Sequence, residues 1–139
     1  MPLPGRKPKP AGQAVNRSKP THEYVEVPNV PAPGRELPAT MPNGKAWPYS
    51  TEDWWKNIST MPHTVLWTES DWQFAYDTAY IAAMFHATGR HLLATELRNR
   101  EKIMGTTLEF RLGLRIRYVD PVEDEIPAEV TRLDDFRDL

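Results

Sequence analysis

The longest stretch of periodic apolar sequence lies between Thr68 and Val119. Within it, residues 72–89 carry a single charge, Asp77, and place apolar side chains on nearly every face of a helix. Thr68 and Asp71 have the spacing of a capping box at its start, and Gly89 supplies a C-terminal stop. A helix that is apolar all round needs cover on every side. The pattern therefore predicts a central helix that is covered partly by other copies of the chain. The side chains expected at that contact are Trp72, Tyr76, Tyr80 and Phe85.

Two further helices are predicted on either side of the central one. Ser50 begins a short helix, with Asp53 at capping-box spacing, that ends before Pro62. Residues 90–104 form an amphipathic pattern that ends at Gly105. Because the turn at Gly89 is short, the second and third helices should form an antiparallel hairpin.

Residues 106–119 fit two structures. Their apolar positions alternate strictly with polar ones, which is typical of a strand. Thr106 and Glu109 also have capping-box spacing, and every third or fourth residue is apolar, which favours a helix. We favour the helix and leave the strand open. In both structures Arg111 and Arg115 share one surface.

Proline divides the chain, because eleven of the fourteen prolines fall in residues 1–49. Proline removes a backbone donor and fixes φ, so this part cannot form helices or central strands. We expect a Pro-rich N-terminal arm and leader (1–47), a helical oligomerisation core (48–119) and an acidic tail (120–139). The leader should drape over the core through Tyr24, Val25, Val27 and Val30. The predicted fold class is all-α.

The net charge of −2 conceals separate basic and acidic blocks. Residues 1–20, here called the basic arm, contain five bases and no acid. Those bases are Arg6, Lys7, Lys9, Arg17 and Lys19. Basic residues held apart by proline suit an extended backbone that follows a nucleic-acid groove, although a solubilising tail has the same composition. The acidic block of residues 50–89 and the basic block of residues 90–119 suggest contacts between neighbouring copies.

Several kinds of chemistry are absent from the sequence. There is no cysteine, so disulfides and thiolate metal sites are excluded. The four histidines, at 22, 63, 86 and 91, do not have metal-ligand spacing, and no Gly-rich phosphate loop is present. We interpret each histidine as a surface or packing residue, and we expect no enzymatic activity, cofactor or metal. The apolar run at 72–89 is short for a membrane span, and the first residues lack the apolar segment of a secretory signal, so a cytoplasmic protein is expected.

Three segments resemble one large family of phage terminase small subunits. Residues 5–10 read GRKPKP and are followed by NRSKP at 16–20, similar to the start of that family. Residues 104–108, with Arg111 and Leu114, resemble a late segment of the family, although Leu108 stands where the family has proline. Thr68 and Asp71 resemble the beginning of its long helix.

The resemblance implies a non-enzymatic, DNA-recognising subunit of a genome-packaging motor in the host cytoplasm. Such subunits assemble as rings, bind double-stranded viral DNA and deliver it to a large subunit that holds the ATPase and nuclease. The residues expected to contact DNA are those of the basic arm, Arg6, Lys7, Lys9, Arg17 and Lys19, together with Arg111, Arg115 and Arg117. Two alternatives stay open: a dimeric helix-turn-helix regulator that docks residues 68–104 on DNA, and a structural head-assembly protein that binds no DNA.

Overall fold

The structure is a computed structural model that describes residues 23–122. The described residues form four α-helices: α1 (Tyr49–Ser59), α2 (Glu69–Thr88), α3 (His91–Met104) and α4 (Leu108–Gly113). They also form two strands, β1 (Val25–Pro28) and β2 (Ile116–Val119), and a 3-10 turn at Pro62–Leu66. The predicted DNA contacts of the basic arm and the acidic residues 123–139 lie outside this range.

The ends of α2 confirm the local signals in the sequence. The backbone N–H of Thr68 donates to Asp71 Oδ2 at 2.8 Å, and the reciprocal bond of the capping box is also present. Gly89 adopts a left-handed φ of 66° and ends the helix. At α1 the prediction was wrong, since Pro48 is the N-cap and no side chain caps the helix. Proline lacks the backbone N–H that donates the reciprocal bond of a capping box, so no capping box can form with Pro48 as the N-cap.

The apolar surface of α2 is largely covered within one chain. Four of its five alanines, at 75, 79, 82 and 83, are at most 1% exposed, and the helix packs against both α1 and α3. Met41 and Trp47 of the leader join the same core. The leader therefore supplies cover that the sequence analysis did not assign to it, and the prediction that other copies cover part of α2 stays a prediction. Tyr80, Ile81 and Phe85 stay half-buried and Met84 is 36% exposed.

Aromatic side chains of α1 and α2 bind carbonyls of the leader, and Trp47 adds a hydrogen bond within the leader itself. The indole of Trp55 donates to the carbonyl of Arg35 at 2.6 Å, and the hydroxyl of Tyr76 donates to the next carbonyl, that of Glu36, at 3.2 Å. The indole of Trp47 donates to the carbonyl of Pro38 at 2.8 Å. Aromatic donors that bind carbonyls of a proline-containing segment also occur where proteins recognise Pro-rich peptides. Residues 35–38 are therefore fixed to the core rather than laid loosely over it.

The side chain of Arg35 also joins the leader to the start of α2. Its guanidinium lies 4.9 Å from the ring centroid of Trp72 and donates to Glu69 Oε2 at 3.0 Å. The Glu69 pKa is lowered, chiefly by this hydrogen bond and by the charge of Arg35. Both charged groups are exposed to solvent, so the ion pair orients Arg35 over the ring more than it stabilises the fold.

Residues 106–119 adopt both of the predicted structures in succession. The helix α4 ends at Gly113, and β2 follows after Arg115, which has a positive φ of 60°. β2 pairs in parallel with β1, in a register that runs from Val25↔Ile116 to Pro28↔Val119. The all-α prediction therefore needs a correction, because a two-stranded sheet joins the leader to the end of the core. The partner of β2 is far away in sequence, so local periodicity could not decide between helix and strand.

The predicted cap of α4 was one residue too early. The hydroxyl of Thr107, not that of Thr106, accepts the backbone N–H of Phe110 at 3.2 Å. The Thr106 hydroxyl is buried and has no hydrogen-bond partner among the described residues. The hydroxyl of Thr107 therefore stabilises the fold, whereas the buried, unbonded hydroxyl of Thr106 destabilises it.

We expect substitutions at these two threonines to change stability in opposite directions. Thr107→Ala removes an N-cap and should lower the free energy of unfolding by about 1 kcal/mol. Thr106→Val keeps the shape of the side chain but removes an unsatisfied buried hydroxyl. This substitution should raise the free energy of unfolding by about 1 kcal/mol. Urea denaturation of both variants beside the parent protein measures the difference. Equal destabilisation by both substitutions would contradict this assignment of the cap.

Candidate nucleic-acid interface

The small sheet brings two arginines together beside one tyrosine. The guanidinium carbons of Arg115 and Arg117 lie 5.5 Å and 4.5 Å from the ring centroid of Tyr24. Both arginines are exposed, and Tyr24 directly precedes β1. Arg117 also approaches Glu26 across the strands, at 3.8 Å between Nη1 and Oε1. The structure therefore places two predicted DNA contacts where the chain enters from the basic arm.

The third predicted arginine in this region, Arg111, is held more firmly by the fold. Its guanidinium carbon lies 4.6 Å from the ring centroid of Tyr118, and Nη1 donates to the Gly105 carbonyl at 3.2 Å. The residue is half-buried. Arg111 and Arg115 do not share an aromatic partner, so Arg111 supports the sheet while Arg115 and Arg117 face solvent.

A buried histidine fixes the position of this sheet. His63 is 2% exposed, and its Nε2 lies 2.7 Å from the Met104 carbonyl at the end of α3. Because a carbonyl can only accept, Nε2 carries the ring proton, and Nδ1 accepts the hydroxyl hydrogen of Tyr118 at 2.6 Å. The imidazole thus connects the 3-10 turn, α3 and β2. The adjacent Gly105 has a φ of 76°, and a Cβ there would lie 3.1 Å from His63 Nε2.

Burial favours the neutral form of this histidine. Desolvation lowers the His63 pKa and the charge of Arg111 lowers it further, while the hydrogen bond to Met104 opposes the shift. Burial also raises the Tyr118 pKa, so its hydroxyl keeps its hydrogen. No local pattern signals this network, since the partners of His63 are 41 and 55 residues away. The interpretation of His63 as a packing residue was incomplete, because it overlooked these two hydrogen bonds.

The charge of the described patch is nearly balanced. Residues 23–26 and 106–120 contain three arginines, at 111, 115 and 117, and four acids, at 23, 26, 109 and 120. This patch alone would attract phosphates weakly. Residues 1–20, which lie outside the described range, contain five bases and no acid.

The four predicted oligomer-contact residues occupy different environments. Trp72 is 6% exposed, with its ring centroid 5.0 Å from that of Trp67. Tyr76 is half-buried and stacks on Trp55 with a centroid distance of 5.1 Å. Tyr80 and Phe85 are half-buried farther along α2. Of the four, Tyr76, Tyr80 and Phe85 therefore keep some surface that another molecule could contact.

Within residues 23–122, no group of three or more His, Asp or Glu side chains is arranged to hold a metal ion. His86 instead bonds the hydroxyl of Thr51 at 2.8 Å through Nδ1, which joins α2 to α1. In the same range, no helix combines the length and the apolar character of a membrane span.

These features define a small, mostly helical protein with two exposed arginines beside the junction of a basic arm. The family model described as "phage terminase small subunit" matches residues 3–139, nearly the whole chain. The chain therefore belongs to the phage terminase small subunit family, which confirms the resemblance found in its motifs. No curated protein and no solved structure matches it.

We expect acid to destabilise the protein partly through His63. Since the His63 pKa is lower in the folded chain than in the unfolded chain, the unfolded state binds the proton first. The stabilisation is full above the unfolded pKa of about 6.5 and decreases as the pH falls below it. His63→Gln should lower the free energy of unfolding by about 1–3 kcal/mol at pH 8 and weaken its dependence on pH between 7 and 5.

The control for this prediction is His91→Gln at the exposed start of α3. This variant should follow the parent protein at every pH. Some dependence should remain in His63→Gln, because desolvation also lowers the His86 pKa. Urea denaturation at several pH values gives the comparison. A parent-like slope in His63→Gln would show that this imidazole does not control acid stability.

Proposed function

We propose that this terminase small subunit binds double-stranded viral DNA through the basic arm together with Arg115 and Arg117. The observation that supports it most directly is that both guanidinium groups lie close to the ring of Tyr24, at the junction with the arm. Arginine side chains donate several hydrogen bonds to phosphate oxygens, and a stacked guanidinium keeps its edge free for them. The described patch orients the contact, and the arm provides most of its strength.

The arm acts through charge rather than through base recognition. Each phosphate neutralised by lysine or arginine releases condensed counterions, so the affinity depends steeply on salt. The arginines at its junction have fixed aromatic neighbours, so less conformational freedom is lost on binding there than in the arm. Sequence-independent engagement of the duplex is the expected outcome.

Several copies of the chain assemble and present their arms together. The surface proposed for this contact contains four side chains in the second half of α2 that its own chain leaves partly open: Tyr80, Ile81, Met84 and Phe85. Acidic residues 50–89 of one copy can face basic residues 90–117 of the next, which suits a head-to-tail ring. Weak contacts from separate arms would then add through effective concentration.

In this proposal the subunit performs no chemistry of its own. It delivers DNA in the host cytoplasm to the large subunit, which hydrolyses ATP and cuts the genome. The acidic residues 120–139 are the segment that we assign to contact with the large subunit. Their charge suits a protein partner and disfavours contact with DNA.

The salt dependence of DNA binding tests the roles of the arm and the arginines. Full-length protein with the five arm bases changed to alanine should bind a duplex more weakly. Each phosphate that is no longer neutralised should reduce the slope of log K against log salt by about 0.9. Arg115→Gln with Arg117→Gln should leave about two phosphates unneutralised and so reduce the slope in the same way. Fluorescence anisotropy between about 50 and 200 mM salt provides the slopes.

Lys45→Gln with Lys56→Gln is the matched control for the arginine pair. Both residues are exposed, and both lie outside the basic arm, the small sheet and basic residues 90–117. The control should keep the slope of the parent protein. An unchanged slope in the arm variant would refute the DNA assignment of the arm.

Solution mass tests the proposed assembly. Light scattering should give a multiple of the 16.0 kDa chain mass, with and without DNA. Met84→Lys should reduce that mass, because it places a charge on the open face of α2. Val65→Lys, at an aliphatic residue that is 59% exposed in the 3-10 turn, is the control and should leave the mass unchanged. A monomer at high micromolar concentration would rule out the ring, and a dimer would favour the regulator class.

A further inference from the structure

The short helix α4 leaves its leucines exposed to solvent. Leu108 and Leu112 lie one turn apart on the same face of the helix and are 67% and 48% exposed, and Leu114, directly after the helix, is 41% exposed. The helix is nevertheless held in place, because Thr107 caps it and Arg111 donates to the carbonyl that follows α3. Single exposed leucines are common, whereas several together on a fixed element mark a contact surface.

A groove of about 590 Å³ lies beside the middle of α2. Side chains of the leader and of α2 line it, among them Trp47, Tyr76, Tyr80 and Ile81. Tyr80 and Ile81 also belong to the face of α2 proposed above for contact between copies, so the groove continues that face toward the leader. A volume in this range accepts whole small ligands. Two leucine side chains are smaller than such a ligand, so the groove can receive them.

The groove and the α4 leucines lie at different places along the pair of helices α2 and α3. The start of α2 lies beside the end of α3, since Ser70 and Asp71 line a small cavity together with Met104. α4 packs against α3 directly after that end, and no residue of α4 lines the groove of its own chain. Tyr80 lies about 17 Å farther along α2 than Glu69, at 1.5 Å per residue. Two separate surfaces on one chain are what a head-to-tail contact requires.

The charges near the two surfaces have opposite signs. α2 has no lysine or arginine and contains three acids, Glu69, Asp71 and Asp77. Residues 102–115 contain three bases and one acid: Lys102, Arg111, Arg115 and Glu109. Opposite charges favour contact between these two regions and disfavour contact of either region with itself.

The groove itself carries an acid that is free to bind a cation. Asp77 lines the groove, is exposed, and accepts a hydrogen bond from Gln73. Among residues 23–122 it forms no ion pair. Arg100 also lines the groove, but its charge is paired with Glu96 within α3. The charge left for a neighbour in the groove is therefore negative, which suits the basic surroundings of α4.

We propose that Leu108 and Leu112 of one copy insert into the α2 groove of the next copy. This inference rests on the proposed assembly and supplies the second surface of that contact. A second copy is the favoured occupant because every chain carries both surfaces, one a groove and the other a pair of exposed side chains, with opposite charge around them. Each copy then binds two neighbours, and the contacts close into a ring if the rotation between neighbours permits it.

Two full-length variants that each lose one surface test this contact. Leu108→Gln with Leu112→Gln changes the α4 leucines, and Ile81→Gln with Met84→Gln changes the α2 face. Glutamine is a good helix former and adds no charge, so circular dichroism should match the parent protein. By light scattering, each variant alone should have the 16.0 kDa mass of one chain at a concentration at which the parent is assembled. An equimolar mixture should give twice that mass and no more, because only one intact pair of surfaces remains.

Val30→Gln with Val65→Gln is the control, because these valines are 47% and 59% exposed and lie outside both surfaces. It should keep the mass of the parent. A parent-like mass for the α4 variant would overturn the inference and leave the proposed assembly to another surface. A mixture that stays monomeric would also overturn it, because the contact would not join these two surfaces. A monomeric parent would instead rule out the proposed assembly itself, so the two failures give different results.

Engineered disulfides test the same contact without disrupting it. The chain contains no cysteine, so only introduced cysteines can form a bond, and only where their Cα atoms lie within about 7 Å. Leu112→Cys co-expressed with Ile81→Cys should give a covalent dimer after mild oxidation, and each variant alone should give none. Val65→Cys in place of Leu112→Cys is the control and should give few dimers. A covalent dimer from Leu112→Cys alone would place α4 against α4, and no dimer from the pair would exclude insertion into the groove.

Discussion

The hydrogen-bonded imidazole of His63 joins parts of the chain that have no other strong reason to meet. Its two nitrogens contact the end of α3 and the hydroxyl of Tyr118 on β2. Two strands of four residues are only marginally stable by themselves. Because β2 is bound both to the imidazole and, along its edge, to β1, the sheet can form. The positions of Arg115 and Arg117 depend on that sheet.

A second constraint is the small number of residues available for a core. A domain of this size buries a smaller fraction of its surface than a larger one, so each apolar contact matters. The aromatic donors Trp47, Trp55 and Tyr76 bind carbonyls of the leader and bring Pro-containing sequence into the core. The leader thereby covers part of the apolar core within one chain. What remains partly open on α2 is a limited strip near Tyr80 and Phe85.

Because the chain belongs to the terminase small subunit family, these features can be interpreted together. A rigid helical body holds a small sheet, and the sheet is the attachment point of two segments with opposite charge. In the proposed function the basic segment and its neighbouring arginines contact the genome.

Local sequence determined the helices of this protein and the family to which it belongs. The capping box at Thr68, the stops at Gly89 and Gly105 and the motif at residues 5–10 all act over a few residues, so they can be identified without a fold. The parallel sheet, the hydrogen bonds of His63 and the core contacts of the leader depend on residues dozens of positions apart. Periodicity in residues 106–119 fitted both a helix and a strand because the deciding partner, β1, lies near the other end of the chain. Only the tertiary structure could show that Arg115 and Arg117 meet at Tyr24, since their proximity results from long-range pairing and not from spacing in the sequence.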